Sequence, residues 1–259
     1  LIKKTSSIDL YGESGEKLYS DLPLTYDDPT ARKAYDLLAS GETEAVFQVE
    51  SAGMRRVLRL VRPSRISDLP AIVALYRPGP MEYIPAYAEA KHGYKSIEYL
   101  HEDLRPILEE TYGVVTYQDQ VLLIARKIAG FTWAEVDILR KGMGKKQFDV
   151  IDNLKNKFVS QGVKQGYLQD TVLAIWEQIA PFAGYGFNRA HAYCYGYLAF
   201  VTAYLKANYP LEYMVTVLTH ESGNKEKISQ SVQECRRMGI DVISPSINSS
   251  QDKFSIVQN

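Results

Sequence analysis

The sequence predicts a mainly α-helical fold built from many helices with two or three minor strands. Three observations carry that expectation. Apolar residues recur at helical spacing along most of the chain. Residues that cap helices, Asp28, Thr132 and Asn188, stand just before such runs. Alternation of apolar and polar residues is confined to short stretches. No internal repeat, low-complexity tract or Ser/Gly linker breaks the pattern. One continuous domain over residues 1–259 is therefore expected, with 241–259 as an extended tail.

Taken in order, Asp28-Pro29 reads as an N-cap followed by proline at the first helical position, opening a helix through Leu38. Ala45-Val-Phe-Gln-Val-Glu50 alternates and reads as a short strand. Ser51 then starts a helix with Met54, Val57, Leu58 and Val61 on one side and Arg55, Arg59 and Arg62 on the other, with Pro63 ending it or lying just past its end. Asp68 to Tyr76 is a short helix stopped at the Pro78-Gly79-Pro80 turn. Leu104 to Glu110 is another, and Gly113 to Tyr117 reads as a brief strand before a helix over Gln118 to Ala129. Thr132-Trp-Ala-Glu135 has capping-box spacing and opens the helix carrying Leu139-Arg140-Lys141. Helices follow over Phe148–Gln161 and Asp170–Ile179. A long one, capped by Asn188, runs to Asn208 and stops at Pro210. Shorter helices near Leu211–Thr219 and Glu226–Met238 complete the set.

Composition narrows the class. The chain is 46% hydrophobic and 24% charged, as in globular proteins, and no apolar run approaches the roughly 18 residues of a membrane span. The first residues, Leu1-Ile-Lys-Lys-Thr-Ser-Ser, lack a secretory pattern, and the start without Met reads as an excised fragment. Cys194 and Cys235 are too few for a disulfide framework or zinc site, so a reducing, cytoplasmic compartment is expected. The net charge of −1 argues against coating DNA by charge alone. It conceals an acidic first fifty residues and two basic stretches, Arg55 to Arg65 and Arg140 to Lys157.

Three blocks look suited to a polyphosphate. In Leu139-Arg-Lys-Gly-Met-Gly-Lys-Lys146, Arg140 offers a fork and Lys141 a mobile charge beside glycines that admit a ligand. A solvated basic helix end explains the same residues. In Gly184-Tyr-Gly-Phe-Asn-Arg-Ala-His191, a helix start sets free N–H groups beside Asn188, Arg189 and His191, with the Tyr185 ring between glycines. A plain cap, a core aromatic and a satisfied histidine account for it as well. Arg77-Pro-Gly-Pro-Met81 is a rigid loop that projects Arg77. Arg55 and Arg56, with Lys145 and Lys146, are candidate contacts to a nucleic-acid backbone, or else a solvated face. No catalytic residue and no metal site is read. Asp27-Asp28 is the only adjacent acidic pair of metal-binding look, and it reads as a helix cap. Walker loops, HExxH pairs and serine elbows are absent from the sequence.

Several ordered blocks carry a family likeness. They include Ala45-Val-Phe-Gln-Val-Glu-Ser-Ala-Gly-Met54, Ala74-Leu-Tyr-Arg-Pro-Gly-Pro-Met81 and Tyr112-Gly-Val-Val-Thr-Tyr-Gln-Asp-Gln-Val121. Leu139 to Lys146, Phe182 to Ala192 and Tyr204-Leu-Lys-Ala-Asn-Tyr-Pro210 continue the series. Together they resemble the fingers region of the C-family bacterial replicative DNA polymerases, the DNA polymerase III alpha subunits, with residues 1–27 matching more loosely. The resemblance implies a helical fingers domain that grips the incoming deoxynucleoside triphosphate (dNTP) and frames the templating base. Arg140 and Lys141 would hold the triphosphate; Asn188, Arg189 and His191 would add polar contacts; Tyr185 would lie against the nascent base pair. Arg77, Arg55 and Arg56 carry over more weakly. Ala190 stands where a serine is frequent and Lys141 where a second arginine is common. Mg would be held by the absent palm domain. Partners implied are dNTP, primer–template DNA, the palm and other domains of the subunit, and the replisome clamp, with no membrane. A fragment of this kind is expected to be inactive alone. The rival reading is a non-catalytic helical interaction module whose basic helices dock an acidic partner.

Overall fold

The computed structural model describes residues 22–144, 148–180, 182, 186–248, 250 and 252–257. The fold is mainly α. Twelve α-helices lie among the described residues: α1 Pro29–Ser40, α2 Ala52–Val61, α3 Asp68–Leu75, α4 Ile84–Lys91, α5 Arg105–Leu108 and α6 Gln118–Ala129. Then come α7 Trp133–Gly144, α8 Phe148–Lys164, α9 Gln169–Ile179, α10 Arg189–Asn208, α11 Pro210–His220 and α12 Lys225–Arg237. The chain divides into two compact units, one of Leu1–Ile66 with Tyr197–Asn259 and one of Ser67–Gly196.

In the first unit, local chemistry sets the helix ends. Asp28 Oδ1 accepts from the N–H groups of Thr30 (2.8 Å) and Ala31 (3.1 Å), and α1 ends at Gly41 with φ 72°. Along α2, Met54, Leu58 and Val61 are buried, the i, i+4, i+7 face anticipated from the sequence. Tyr35 of α1 packs on Phe200 of α10 with ring centroids 5.0 Å apart. Asn208, at the end of α10, donates to the Thr30 carbonyl at 3.0 Å. Beneath them Lys206 is fully enclosed. Its ammonium donates to the carbonyls of Glu42 (3.1 Å) and Glu44 (2.7 Å) and to Glu234 Oε1 (2.6 Å). Three acceptors match its three donors.

The second unit is built on α6 to α9. Phe131, Phe158 and Trp176 form an aromatic chain, with Phe158 5.2 Å from Trp176 and 6.1 Å from Phe131. Every residue of α3 is buried, Asp68 included, which receives Lys91 at 3.4 Å and the Tyr87 hydroxyl at 3.1 Å. The α7 start has the expected capping box: Thr132 N–H donates to Glu135 Oε2 (2.7 Å) and Glu135 N–H to Thr132 Oγ1 (3.3 Å).

The expected minor strands do not form. Among the described residues only two isolated bridges occur, Thr25 with Arg65 and Tyr117 with Phe187. Residues 45–50 turn instead, with Ala45 at φ 59° and Gln48 at φ 66°, because Val46 and Val49 both enter the core from three residues apart. At 113–117 a side chain replaces the neighbouring strand: Gln120 Oε1 accepts from the N–H groups of Thr116 (2.8 Å) and Tyr117 (2.9 Å). Helix α4 was not anticipated, since no side chain caps it. Its buried Ile84, Tyr87 and Ala88 do carry helical spacing that would have revealed it.

Glu135 also takes a hydrogen bond from Lys157, and this, followed by the Thr132 contacts, holds its carboxyl down at about 2. The ionised form is thus favoured more in the folded chain than in the unfolded one. Its contribution is complete above pH 4.5 and disappears as pH falls to about 2. Glu135→Ala is expected to cost about 1 kcal/mol at pH 7 and to flatten the pH dependence of stability in that window. Thermal melts of both proteins between pH 2 and 7, compared pairwise, check it.

Candidate functional site

The second unit brings together one group of the residues singled out from the sequence. Asn188 caps α10, its Oδ1 accepting from the His191 N–H at 2.9 Å. His191 is exposed and lies between Phe187 (centroids 5.4 Å) and Tyr195 (4.2 Å). Arg77 stacks over the other aromatic partner: its guanidinium carbon is 4.4 Å from the Phe187 ring centroid, and its Nε donates to the Ala74 carbonyl at 3.0 Å. Burial lowers the Arg77 pKa, yet a guanidinium keeps its charge. Phe187 therefore joins the Arg77 loop to the start of α10. It is the member that residue-type reasoning passed over, because its role is visible only through its neighbours.

Gly186 explains why the chain arrives there in this conformation. The Gln118 N–H donates to the Phe187 carbonyl at 3.0 Å, and the Gly186 N–H to the Phe182 carbonyl at 2.6 Å. A Cβ on Gly186 would stand 2.9 Å from Gln118 Cα and 3.1 Å from the Phe182 oxygen. The glycine allows two backbones to approach.

Arg189 faces other residues. Its Nη1 donates to Glu110 Oε2 at 2.5 Å, its Nε is 2.8 Å from Asp119 Oδ2, and its guanidinium carbon lies 4.6 Å from the Tyr117 ring centroid. Tyr193, one turn further along α10, donates its hydroxyl to the other oxygen of Glu110. Burial, reinforced by Tyr193 and Glu110, pushes the Tyr117 hydroxyl pKa up, so it stays protonated.

Arg140 and Lys141 stand exposed on α7. Both pair with Asp137, Arg140 Nη2 at 2.6 Å and Lys141 Nζ at 2.7 Å from its two oxygens. Lys141 first, then Arg140, hold the Asp137 carboxyl below its usual range. These i, i+3 and i, i+4 pairs are readable in the sequence, and they orient the two cations side by side. In the first unit Arg55 is committed to Glu44 and to the Glu50 carbonyl at 2.7 Å, whereas Arg56 is exposed. Tyr185, Lys145 and Lys146 lie outside the described residues. Among the described residues no group of three or more His, Cys, Asp and Glu side chains is placed to hold a metal ion, and no helix is long and apolar enough to cross a membrane.

The fold and site define a mainly helical module that presents a capped helix start, an aromatic-backed arginine and a paired set of cations. Residues 8–166 match the family described as the bacterial DNA polymerase III alpha subunit finger domain, and the chain belongs to that family. Curated relatives agree. The DNA polymerase III subunit alpha of Bacillus subtilis (strain 168) is 44% identical over 245 residues, which is 94% of this chain and 22% of that protein. That of Halalkalibacterium halodurans is 47% identical over 86% of the chain and 20% of the relative. That of Aquifex aeolicus (strain VF5) is 40% identical over 99% of the chain and 21% of the relative, a span that takes in the Asn188–His191 block. The chain spans about a fifth of the length of these relatives.

Proposed function

We propose that the chain is the nucleotide-gripping finger region of a replicative DNA-directed DNA polymerase. In the reaction the primer 3′-hydroxyl attacks the α-phosphate of a dNTP and pyrophosphate leaves. The share of this region is to orient the triphosphate and offset its charge while the template base is framed. Arg140 and Lys141 are assigned to the phosphates. Arg77, Asn188 and His191 are assigned to the sugar, base or remaining phosphate oxygens, and Tyr185 to the nascent base pair. Arg56, Lys145 and Lys146 are assigned to primer–template DNA. Mg ions, held by palm carboxylates outside these residues, would supply the activation of the 3′-hydroxyl and of the leaving group. The palm, the other domains of the subunit and a sliding clamp complete the set of partners in this reading.

The observation that supports it most is the meeting of Arg77, Phe187, Asn188 and His191 at the start of α10. Arg77 and the exposed Asn188 and His191 stand beside a helix start, where an anion is favoured. In the complete subunit carrying this chain, Arg140→Ala and His191→Ala are each expected to lower kcat/KM for dNTP by about 10- to 100-fold, the worth of one charged hydrogen bond. Primer–template affinity should change by less than about threefold, because the phosphates of the duplex are held elsewhere. Steady-state extension assays with filter-binding controls measure both. Unchanged kcat/KM in both variants would overturn the proposal in favour of an interaction module.

A further inference from the structure

We infer that Glu110 is a positioning residue for nucleotide selection, one that orients the start of α10 by holding Arg189 and Tyr193 together. The inference rests on the functional reading above and deepens it. Glu110 is the middle residue of the short 3-10 turn Glu109–Thr111, far in sequence from the residues it holds. Its two carboxylate oxygens take separate donors from the first two turns of α10. Oε2 receives Arg189 Nη1 at 2.5 Å and Oε1 receives the Tyr193 hydroxyl. Arg189 and Tyr193 are one helical turn apart, so a carboxylate gripping both fixes the rotation of the helix about its axis as well as its position.

That rotation decides where Asn188 and His191 point. Asn188 is the residue before Arg189, and His191 lies between the two gripped residues. Each contact is partly enclosed, with the Arg189 and Glu110 side chains about one-third exposed, so the pair is stronger than a fully solvated one. The Asp119 carboxylate lies 2.8 Å from Arg189 Nε as a charge partner, outside hydrogen-bond geometry, and the Tyr117 ring centroid lies 4.6 Å from the guanidinium carbon. With Nη1 bonded to Glu110 and its charge paired with Asp119, Arg189 serves as a clamp on α10, and nucleotide contact falls to its neighbours Asn188 and His191.

The test is kinetic and uses the complete subunit. Glu110→Ala should lower kcat/KM for the correctly paired dNTP by about 10- to 100-fold, since displacing a catalytic group by about 1 Å costs up to about that much. Discrimination against mispaired dNTP should fall with it, a change that simple destabilisation does not produce. Glu110→Gln keeps an acceptor and a donor in place and should recover most of the loss. Combining Glu110→Ala with Arg189→Gln should cost little more than the worse single change, because both act through one contact. If Glu110→Ala proves too unstable to assay, Arg189→Gln combined with Tyr193→Phe removes both donors from the carboxylate and should lower kcat/KM and discrimination in its place. Unchanged kinetics and discrimination in Glu110→Ala, or in the Arg189→Gln, Tyr193→Phe protein that replaces it, or strictly additive losses in the combination, would overturn the inference. The Arg140→Ala control separates this from the underlying reading. If Arg140→Ala impairs dNTP use and the Glu110 variants do not, only the positioning role is lost; if neither impairs it, the nucleotide-binding function itself fails.

Discussion

Lys206→Met is expected to destabilise the first unit by about 3–5 kcal/mol, the cost of removing one partner from a buried charge pair. The ammonium is wholly enclosed and spends each proton on one acceptor: the carbonyls of Glu42 and Glu44 and the carboxylate of Glu234. Burial lowers its pKa, opposed by the hydrogen bond and charge of Glu234. Methionine fills much of the volume but donates nothing, so two carbonyls lose their partner away from water. Glu234 is less exposed to the loss, because Arg237 also binds it at 2.7 Å through two nitrogens. Glu234→Gln should therefore cost less than Lys206→Met, and the two together less than their sum. Urea denaturation followed by circular dichroism gives all three values. A Lys206→Met protein within 1 kcal/mol of the parent would show that the charge adds nothing to this core.

Gly186→Ala is expected to be the most damaging single methyl added near the candidate site. The new Cβ would stand 2.9 Å from Gln118 Cα, a backbone atom that no rotamer change can move aside. Overpacking of this kind costs about 1–3 kcal/mol. Here the strain falls on the hydrogen bond between the Gln118 N–H and the Phe187 carbonyl. Phe187 carries the Arg77 and His191 contacts, so dNTP use should fall along with stability. Gly223→Ala is the matched control, since a Cβ there meets nothing within 4 Å. It should change stability by less than about 0.5 kcal/mol. Thermal melts of the two variants, with extension kinetics in the complete subunit, separate steric damage from the general cost of replacing glycine. Equal effects at Gly186 and Gly223 would refute the close-approach argument.

Much of the helical order was legible because its causes are local. Asp28, the Thr132–Glu135 box and Asn188 act on N–H groups two or three residues away, so the sequence displays both partners. The Met54, Leu58 and Val61 face repeats with the helix period. The ordered motif blocks were enough to indicate the family, and the match over residues 8–166 agrees. The strands at 45–50 and 113–117 were misread for one reason. Apolar alternation signals a strand only if a neighbour supplies hydrogen bonds, and here turns and the Gln120 side chain supply them.

The amino-acid sequence by itself determined most of the helices and their caps, the family and the residue types gathered in each motif block, since these depend on contacts within a turn or two of chain. Only the tertiary structure decided which acceptor holds each buried or half-buried cation. Arg189 finds its acceptor 79 residues away in Glu110, and Lys206 its carbonyls more than 160 residues away. A cation's partner is whichever acceptor the folded chain brings within about 3 Å of it, and spacing along the sequence carries no record of that distance.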